Sequence, residues 1–73
     1  MRIVILGAGT IGTSIAGLLC QNRHNVTIVD HDPAVVQEIN DSMDARAVCG
    51  SAAQSSVLFQ AGVMSADLVL AVT

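Results

Sequence analysis

The feature that most constrains this chain is a group of closely spaced glycines that begins at Gly7, directly after a short apolar segment. Residues 7–12 read G-A-G-T-I-G, which matches the spacing G-x-G-x-x-G. The preceding run, Arg2 to Leu6, is apolar and β-branched without strict alternation, as in a strand buried on both faces. From Thr10 onward the apolar residues recur with helical spacing. The motif therefore predicts a strand, a glycine turn and a helix within a βαβ unit.

Each glycine of the predicted turn has a separate physical task. We expect Gly7 to allow a tight turn, Gly9 to let backbone approach a pyrophosphate, and Gly12 to bring the helix close to the strand. The free amides and the dipole of the following helix would form an anion site that needs no Lys or Arg. The alternative is a glycine turn that binds no ligand. The pattern favours a dinucleotide site because strand, turn, helix and a downstream acid coincide.

That acid is Asp30, which follows the glycines at roughly the 20-residue distance typical of the fingerprint. Its carboxylate can accept hydrogen bonds from the ribose hydroxyls of an adenosine and would repel a 2′-phosphate. No arginine lies nearby in the sequence to receive such a phosphate. Asp30 thus predicts NAD(H), or ATP/ADP, rather than NADP(H). A solvated acid at the end of a strand is the alternative interpretation.

The first helix, which should end near Gln21, carries apolar residues at positions i, i+4, i+7 and i+8. This spacing predicts one buried stripe, formed by Ile11, Ile15, Leu18 and Leu19. Asp32 and Pro33 predict the start of a second helix, since Asp accepts the free amides of a first turn and proline there loses no bond. The side chains of that helix expected to be buried are Val35, Val36 and Ile39.

Three further strands are predicted along the chain. The second covers Val26 to Val29 and the third covers Ala45 to Val48, both rich in apolar residues. A third helix from about Gln54 should end at Gly62. Its inward residues are expected to be Val57, Leu58 and Ala61. Beyond Asp67, the apolar run that begins at Leu68 predicts a fourth strand, buried like the others.

The order β-α-β-α-β-α-β with short connections requires parallel strands and right-handed crossovers. We therefore expect an α/β fold with a Rossmann-like open parallel sheet in the strand order 3-2-1-4. Doubly wound domains continue with further α/β units beyond the fourth strand. Residues 1–73 are accordingly predicted to be the N-terminal part of a Rossmann-type nucleotide-binding domain, truncated after strand four.

Residues next to Asp30 and after the third strand could complete the site. His31 could border the ribose or the adenine, although a solvated loop histidine is the preferred interpretation. Asp32 is interpreted as a helix cap rather than a ligand-binding group. Ser51 and Ala52, which follow Gly50, leave the third strand at the same sheet edge. There a purine contact and a plain loop are equally compatible with the sequence.

Charge and composition exclude several other classes. Three basic against six acidic residues give a formal net charge of −3 without a basic cluster, so nucleic acid is not expected as a partner. No segment has the length of a membrane span or the pattern of a signal peptide, so we expect a cytoplasmic protein.

Cys20 and Cys49 lack metal-ligand spacing and are predicted to be free thiols. His24 is expected at the far sheet edge, so we predict binding without catalysis.

The segment that leads to the fourth strand extends the match beyond a generic dinucleotide fingerprint. Its distinctive residues are Gly50, Val57-Leu58, Ala61-Gly62 and the run from Ala66 to Thr73. With the N-terminal fingerprint and the strand end at residues 29–32, the whole chain resembles the RCK or KTN (TrkA-N) domains of Trk potassium-uptake systems. Two positions depart from that pattern. Ser51 stands where the family often has an acid, and Ala53 stands where it often has a Ser or Thr cap.

The resemblance implies a cytoplasmic regulatory module, peripheral to the inner face of the cell membrane, that binds NAD(H) or adenine nucleotides. It also implies assembly into a dimer or ring, contact with a membrane potassium transporter or channel subunit that the module gates, and no enzymatic activity. By the same resemblance Asp30 would hold the ribose, Ser51 and Ala52 the adenine edge, and Thr73 would begin the loop after strand four. The phosphates would lie against Gly7, Ala8, Gly9, Thr10, Ile11 and Gly12.

Two other interpretations are compatible with the fingerprint. NAD-dependent oxidoreductases and flavoproteins can begin with the same glycine turn, because one fold serves many functions. The residues beyond Thr73 would distinguish these classes. A further regulatory half predicts gating, whereas a substrate domain with a His or Lys predicts catalysis.

Overall fold

The computed structural model describes residues 1–7, 9–42, 44–51 and 53–71 of the chain, in which strands and helices alternate. The strands are β1 (Arg2–Leu6), β2 (Asn25–Asp30), β3 (Arg46–Cys49) and β4 (Leu68–Ala71). The helices are α1 (Thr10–Gln21), α2 (Pro33–Ser42) and α3 (Ser55–Ala61), and a 3₁₀ turn, Val63–Ser65, follows α3. Relative to the sequence prediction, β2 is longer by one residue at each end and β3 is displaced by one residue.

The four strands are parallel and form one sheet in the order β3-β2-β1-β4, which confirms the predicted α/β, Rossmann-like topology. β1 and β2 pair from Arg2 opposite Asn25 to Leu6 opposite Val29. Asp30 lies opposite Cys49 at the end of the pair formed by β2 and β3. The carboxyl ends of these three strands therefore meet at one edge of the sheet, where open α/β sheets bind their ligands.

Each face of the sheet carries its own apolar cluster, because helices cover both faces. The cluster under α1 and α2 is formed by the buried residues Ile3, Ile5, Ala16, Val26, Ile28 and Ile39. The cluster under α3 is formed by the buried residues Val4, Val29, Val48, Val57 and Ala61. Burying one Val or Ile side chain contributes about 1.5–3 kcal/mol, so these two clusters are the main source of stability.

Helix α1 packs on the sheet through residues that differ in part from the predicted stripe. Ile11 and Leu18 are 68% and 61% exposed, which contradicts their predicted burial. The residues that are buried instead are Gly12 and Ala16. The members of the predicted stripe that do pack against the core are Ile15 and Leu19. A pattern based on large apolar side chains misses this face, because small residues form it and let the helix approach the sheet.

Strand β4 forms where it was predicted, but the expectation that it is buried is wrong. Leu68 and Val69 are each 42% exposed. Within the described ranges, β4 pairs with β1 alone. Leu70 is the residue of this strand that packs against the cluster under α1 and α2. An outer strand that the helices cover incompletely leaves apolar side chains in contact with water on both faces of the sheet.

The helix ends follow the predicted chemistry. Asp32 caps α2, since its Oδ1 accepts a hydrogen bond of 2.9 Å from the Ala34 amide. Its carbonyl accepts a second hydrogen bond, of 3.1 Å, from the Val36 amide. Helix α3 ends at Gly62, whose φ of 85° is the left-handed conformation that favours glycine. Of the inward residues predicted for these two helices, those that are only half-buried are Val35, Val36 and Leu58.

Gly50, after the end of β3, lies too close to Val57 of α3 to accept a side chain. A Cβ at Gly50 would lie 2.7 Å from Val57 Cγ2, well inside van der Waals contact. We expect Gly50→Ala to lower the free energy of unfolding by about 1–3 kcal/mol, because the turn or the helix must shift. Urea denaturation followed by circular dichroism measures this change.

The matched control is Gly17→Ala in α1. A Cβ at Gly17 meets nothing within 4 Å, and alanine favours a helix over glycine by about 1 kcal/mol. This variant should therefore be more stable than the unmodified chain. Equal unfolding free energies for the two variants would contradict the packing argument at Gly50.

Candidate nucleotide-binding site

The glycine turn between β1 and α1 is closed against the neighbouring strand. The Gly7 amide donates a hydrogen bond of 2.8 Å to the carbonyl of Val29 in β2. Gly7 has a φ of 101°, which a residue with a Cβ rarely adopts. Gly7 thus has the conformation for which a glycine was predicted, and β2 fixes its position at the carboxyl edge of the sheet.

Gly9 lies at the N-terminal end of α1 in an extended conformation, with φ −62° and ψ −174°. Its carbonyl accepts the hydrogen bond of 2.9 Å from the Thr13 amide that starts the helix. Gly9, as the residue before the helix, provides no side-chain cap, and the first turn of α1 contains no acidic residue. The first amides of a helix have no acceptor within the helix, so they are available to an anion at this end.

The space around Gly9 shows whether packing within the protein requires a glycine at this position. A Cβ at Gly9 would meet nothing within 4 Å, so packing within the described residues leaves room for a side chain. The same space is what a pyrophosphate needs in order to approach the backbone. The geometry therefore fits a bound diphosphate.

The other residues of the motif have different environments. Gly12 is buried, and its role in bringing the helix close to the strand stays a prediction. Ile11 is exposed and so belongs to the surface beside the turn rather than to the core. Thr10 is the first residue of α1. Ala8 lies outside the described residues.

Asp30 ends β2 with its side chain only 12% exposed, beside the turn that contains Gly7. Its Oδ1 accepts a hydrogen bond of 2.9 Å from the Asp32 amide, which fixes the orientation of the carboxylate. His31 Nδ1 lies 3.7 Å from the same oxygen, but the His31 side chain is 89% exposed. The histidine is therefore a solvated loop residue at the border of the site, and the carboxylate is the oriented group.

The turn that follows β3 is hydrogen-bonded to the carboxyl end of β2. The Gly50 amide donates a hydrogen bond of 2.9 Å to the Asp30 carbonyl. Ser51 Oγ accepts a hydrogen bond of 3.2 Å from the Ala53 amide, so the serine hydroxyl shapes this turn, a role that the sequence analysis missed. The serine side chain is exposed at the edge where the adenine contact was predicted. Ala52 and Thr73, which the same prediction includes, lie outside the described residues.

The reactive side chains of the described segments lie apart from the glycine turn or are solvated. Cys20 and Cys49 are free thiols, as predicted. Burial, and to a smaller extent the negative charge of Asp44, raises the pKa of the Cys20 thiol, which keeps it protonated. His24 precedes β2 and so lies at the amino edge of the sheet. No group of three metal-ligating side chains occurs within the described ranges.

Comparison with known proteins identifies the family. The model of the TrkA-N domain matches residues 3–73. The chain belongs to the TrkA-N domain family. TrkA-N domains are Rossmann-like, nucleotide-binding domains, which agrees with the strand order and the glycine turn described above.

Individual relatives of this TrkA-N domain cover its whole length. Over 73 residues it is 41% identical to a Trk system potassium uptake protein TrkA from Vibrio alginolyticus. It is 44% identical to a homolog of that protein from Archaeoglobus fulgidus and 30% identical to one from Methanothermobacter thermautotrophicus. The chain spans 16% of the length of the first two relatives and 34% of the third. Each relative therefore contains much sequence without a counterpart here.

None of the helices in the described part of the chain combines the length and the apolarity that crossing a bilayer requires.

Replacing Gly9 tests the glycine turn directly. We expect Gly9→Val to remove nucleotide binding while the fold is retained, because the branched side chain would enter the space beside the helix amides. Calorimetric titration with NADH measures the binding, and circular dichroism measures the fold. Gly17→Ala, at a position where a Cβ also meets nothing within 4 Å but which lies two helical turns from Gly9, should bind NADH like the unmodified chain. A folded Gly9→Val variant with unchanged affinity would remove the glycine turn from the site.

Proposed function

We propose that this TrkA-N domain binds an adenine nucleotide at the carboxyl edge of its sheet, with NAD(H) favoured and ATP/ADP as the alternative. The observation that carries the proposal is the open space at Gly9, which lies directly before the first turn of α1. The diphosphate would lie against residues 7–12, where helix amides and the helix dipole neutralise its charge. This arrangement explains how a chain with formal charge −3 can bind an anion here without a lysine or arginine.

The ribose of the nucleotide would lie against Asp30. This carboxylate is oriented by the Asp32 amide and is held beside both the glycine turn and the turn at Gly50. A carboxylate accepts hydrogen bonds from the two ribose hydroxyls and repels a phosphate at the 2′ position. Ser51, exposed at the same edge, and Ala52 would border the adenine, with His31 at the periphery and Thr73 at the start of the next loop.

We further propose that the domain is a regulatory part of a potassium-uptake system. The support is the identity of its relatives, each a Trk system potassium uptake protein TrkA or a homolog of it. Its role would be to sense a nucleotide rather than to convert it. In keeping with this role, the Cys20 thiol is held protonated and His24 lies at the opposite edge from the glycine turn.

The same proposal includes a location in the cell and a membrane partner for the domain. As part of a dimer or ring, it would act in the cytoplasm at the inner face of the membrane, against a potassium transporter or channel subunit. A nucleotide changes the conformational equilibrium of such a partner only by its difference in affinity for the two states. Couplings of this kind are about 1–3 kcal/mol, which corresponds to changes of roughly 5- to 150-fold.

The ribose assignment predicts a preference among cofactors. We expect NADH to bind at least about tenfold more tightly than NADPH, a difference of about 1.4 kcal/mol, because Asp30 repels the 2′-phosphate. Asp30→Asn should narrow this difference, since it removes the charge but keeps an oxygen that can accept the Asp32 amide. Asp41→Asn, which removes an equal charge from the exposed face of α2, should leave the difference unchanged. Equal affinities for NADH and NADPH in the unmodified chain would refute the assignment.

The regulatory role can be tested in a chimera. The chain would replace its aligned segment in the Vibrio alginolyticus TrkA protein, in cells that lack their own TrkA. We expect the chimera to restore potassium uptake, and we expect Gly9→Val in the chimera to change that uptake within the 5- to 150-fold range typical of allosteric coupling. Gly17→Ala in the same chimera is the matched control.

The purified chimera should also be assayed for oxidation of NADH. A regulatory domain leaves the cofactor unchanged. Stoichiometric NADH consumption with a small-molecule substrate, together with uptake that is indifferent to Gly9→Val, would replace the regulatory proposal by an oxidoreductase.

A further inference from the structure

A polar cleft of about 220 Å³ lies at the amino edge of the sheet, away from the glycine turn. Its floor includes strand residues from β1, β2 and β3, namely Arg2, Asn25, Thr27 and Arg46. Its wall is formed by the end of α3 and the 3₁₀ turn, including Gly62 and Ser65. The cleft therefore gathers polar side chains from the amino ends of three neighbouring strands.

The strand register explains why these polar residues share one face. Each of the three strands buries one valine under α3, namely Val4, Val29 and Val48. Side chains two residues apart on a strand point to the same face. The residues two positions before those valines are Arg2, Thr27 and Arg46. All three therefore lie on the α3 side of the sheet.

Helix α3 is too short to cover this part of the face. It has seven residues and ends at Gly62, where the chain turns away into the 3₁₀ segment. The Gly62 carbonyl is already engaged, since it accepts hydrogen bonds from the Ser65 amide and from Ser65 Oγ. The amino ends of the strands thus remain open above their polar side chains.

Positive charge is concentrated at the cleft, although the chain has a formal net charge of −3. Two of its three basic residues, Arg2 and Arg46, line this cleft. Across the described ranges, no salt bridge joins either guanidinium to a carboxylate. Asp67 is the acid next to Arg2, and its Oδ2 accepts a 2.8 Å hydrogen bond from the Arg2 backbone amide. That carboxylate is therefore held by the backbone of β1.

We propose that this cleft is a second anion site, which binds a phosphate-type oxyanion between Arg2 and Arg46. Their Cα atoms are separated by two strand spacings and two residues, roughly 12 Å in a regular sheet. Two extended arginine side chains can close that span around one anion. A guanidinium binds such an oxyanion with paired, charge-assisted hydrogen bonds. The Thr27 hydroxyl, on the strand between them, supplies a further donor.

Inorganic phosphate is the probe that tests this site. It would be titrated into the ¹⁵N-labelled chain at constant ionic strength, with backbone amide shifts recorded by nuclear magnetic resonance and sodium chloride as the reference salt. We expect saturable shifts at Arg2, Thr27 and Arg46. Arg2→Gln and Arg46→Gln should each weaken phosphate binding roughly tenfold, as expected for loss of a charge-assisted hydrogen bond.

The matched control is Arg23→Gln, which removes the third basic residue, located in the turn between α1 and β2 and outside the cleft. It should change phosphate affinity less than about twofold. The dispersion of the amide spectrum verifies that each variant is folded. The proposal fails if Arg23→Gln weakens binding as much as the cleft variants, or if chloride produces the same shifts. It also fails if no shift saturates, or if only amides of the glycine turn respond.

Discussion

The candidate site depends on the last two carbonyl groups of β2. The Val29 carbonyl accepts the Gly7 amide at 2.8 Å, and the Asp30 carbonyl accepts the Gly50 amide at 2.9 Å. Two separate turns, from two neighbouring strands, are therefore fixed to the end of one buried strand. The side chain of Asp30 leaves the backbone between these attachments. Its position relative to the glycine turn is set by the backbone hydrogen bonds of the sheet.

The sequence predicted the fold correctly where a local residue pattern is enough to determine the local structure. A β-branched run such as residues 26–29 has few alternatives to a buried strand, and Gly62 ends a helix for a local reason. The errors arise from tertiary context. Ile11 and Leu18 are exposed because α1 buries the face that carries the small residues Gly12 and Ala16. The exposure of β4, an outer strand, depends on how much of it the helices cover. The residues of β4 alone do not determine that coverage.

The site could be predicted in part for the same reason. The glycine spacing and the distance to Asp30 lie within one local βαβ unit, so they can be recognised from the sequence. The role of Ser51 as an acceptor for the Ala53 amide depends on the detailed shape of a turn. The cleft at the amino edge depends on the register of three strands, since Arg2 and Arg46 are far apart in the sequence. Such pairs become visible only when the strands are aligned.

The open space at Gly9 has a consequence for how a nucleotide would affect this domain. Gly7 is already held against β2 by its hydrogen bond to Val29, and no side chain of the described residues occupies the space beside Gly9 that a diphosphate would enter. Such a pre-organised pocket saves the entropy of ordering a loop, so affinity comes at little cost in structural change. In the proposed function, this part of the site would therefore act as an anchor. Any difference in response between two adenine nucleotides then arises from the part of each ligand that extends beyond the adenosine diphosphate.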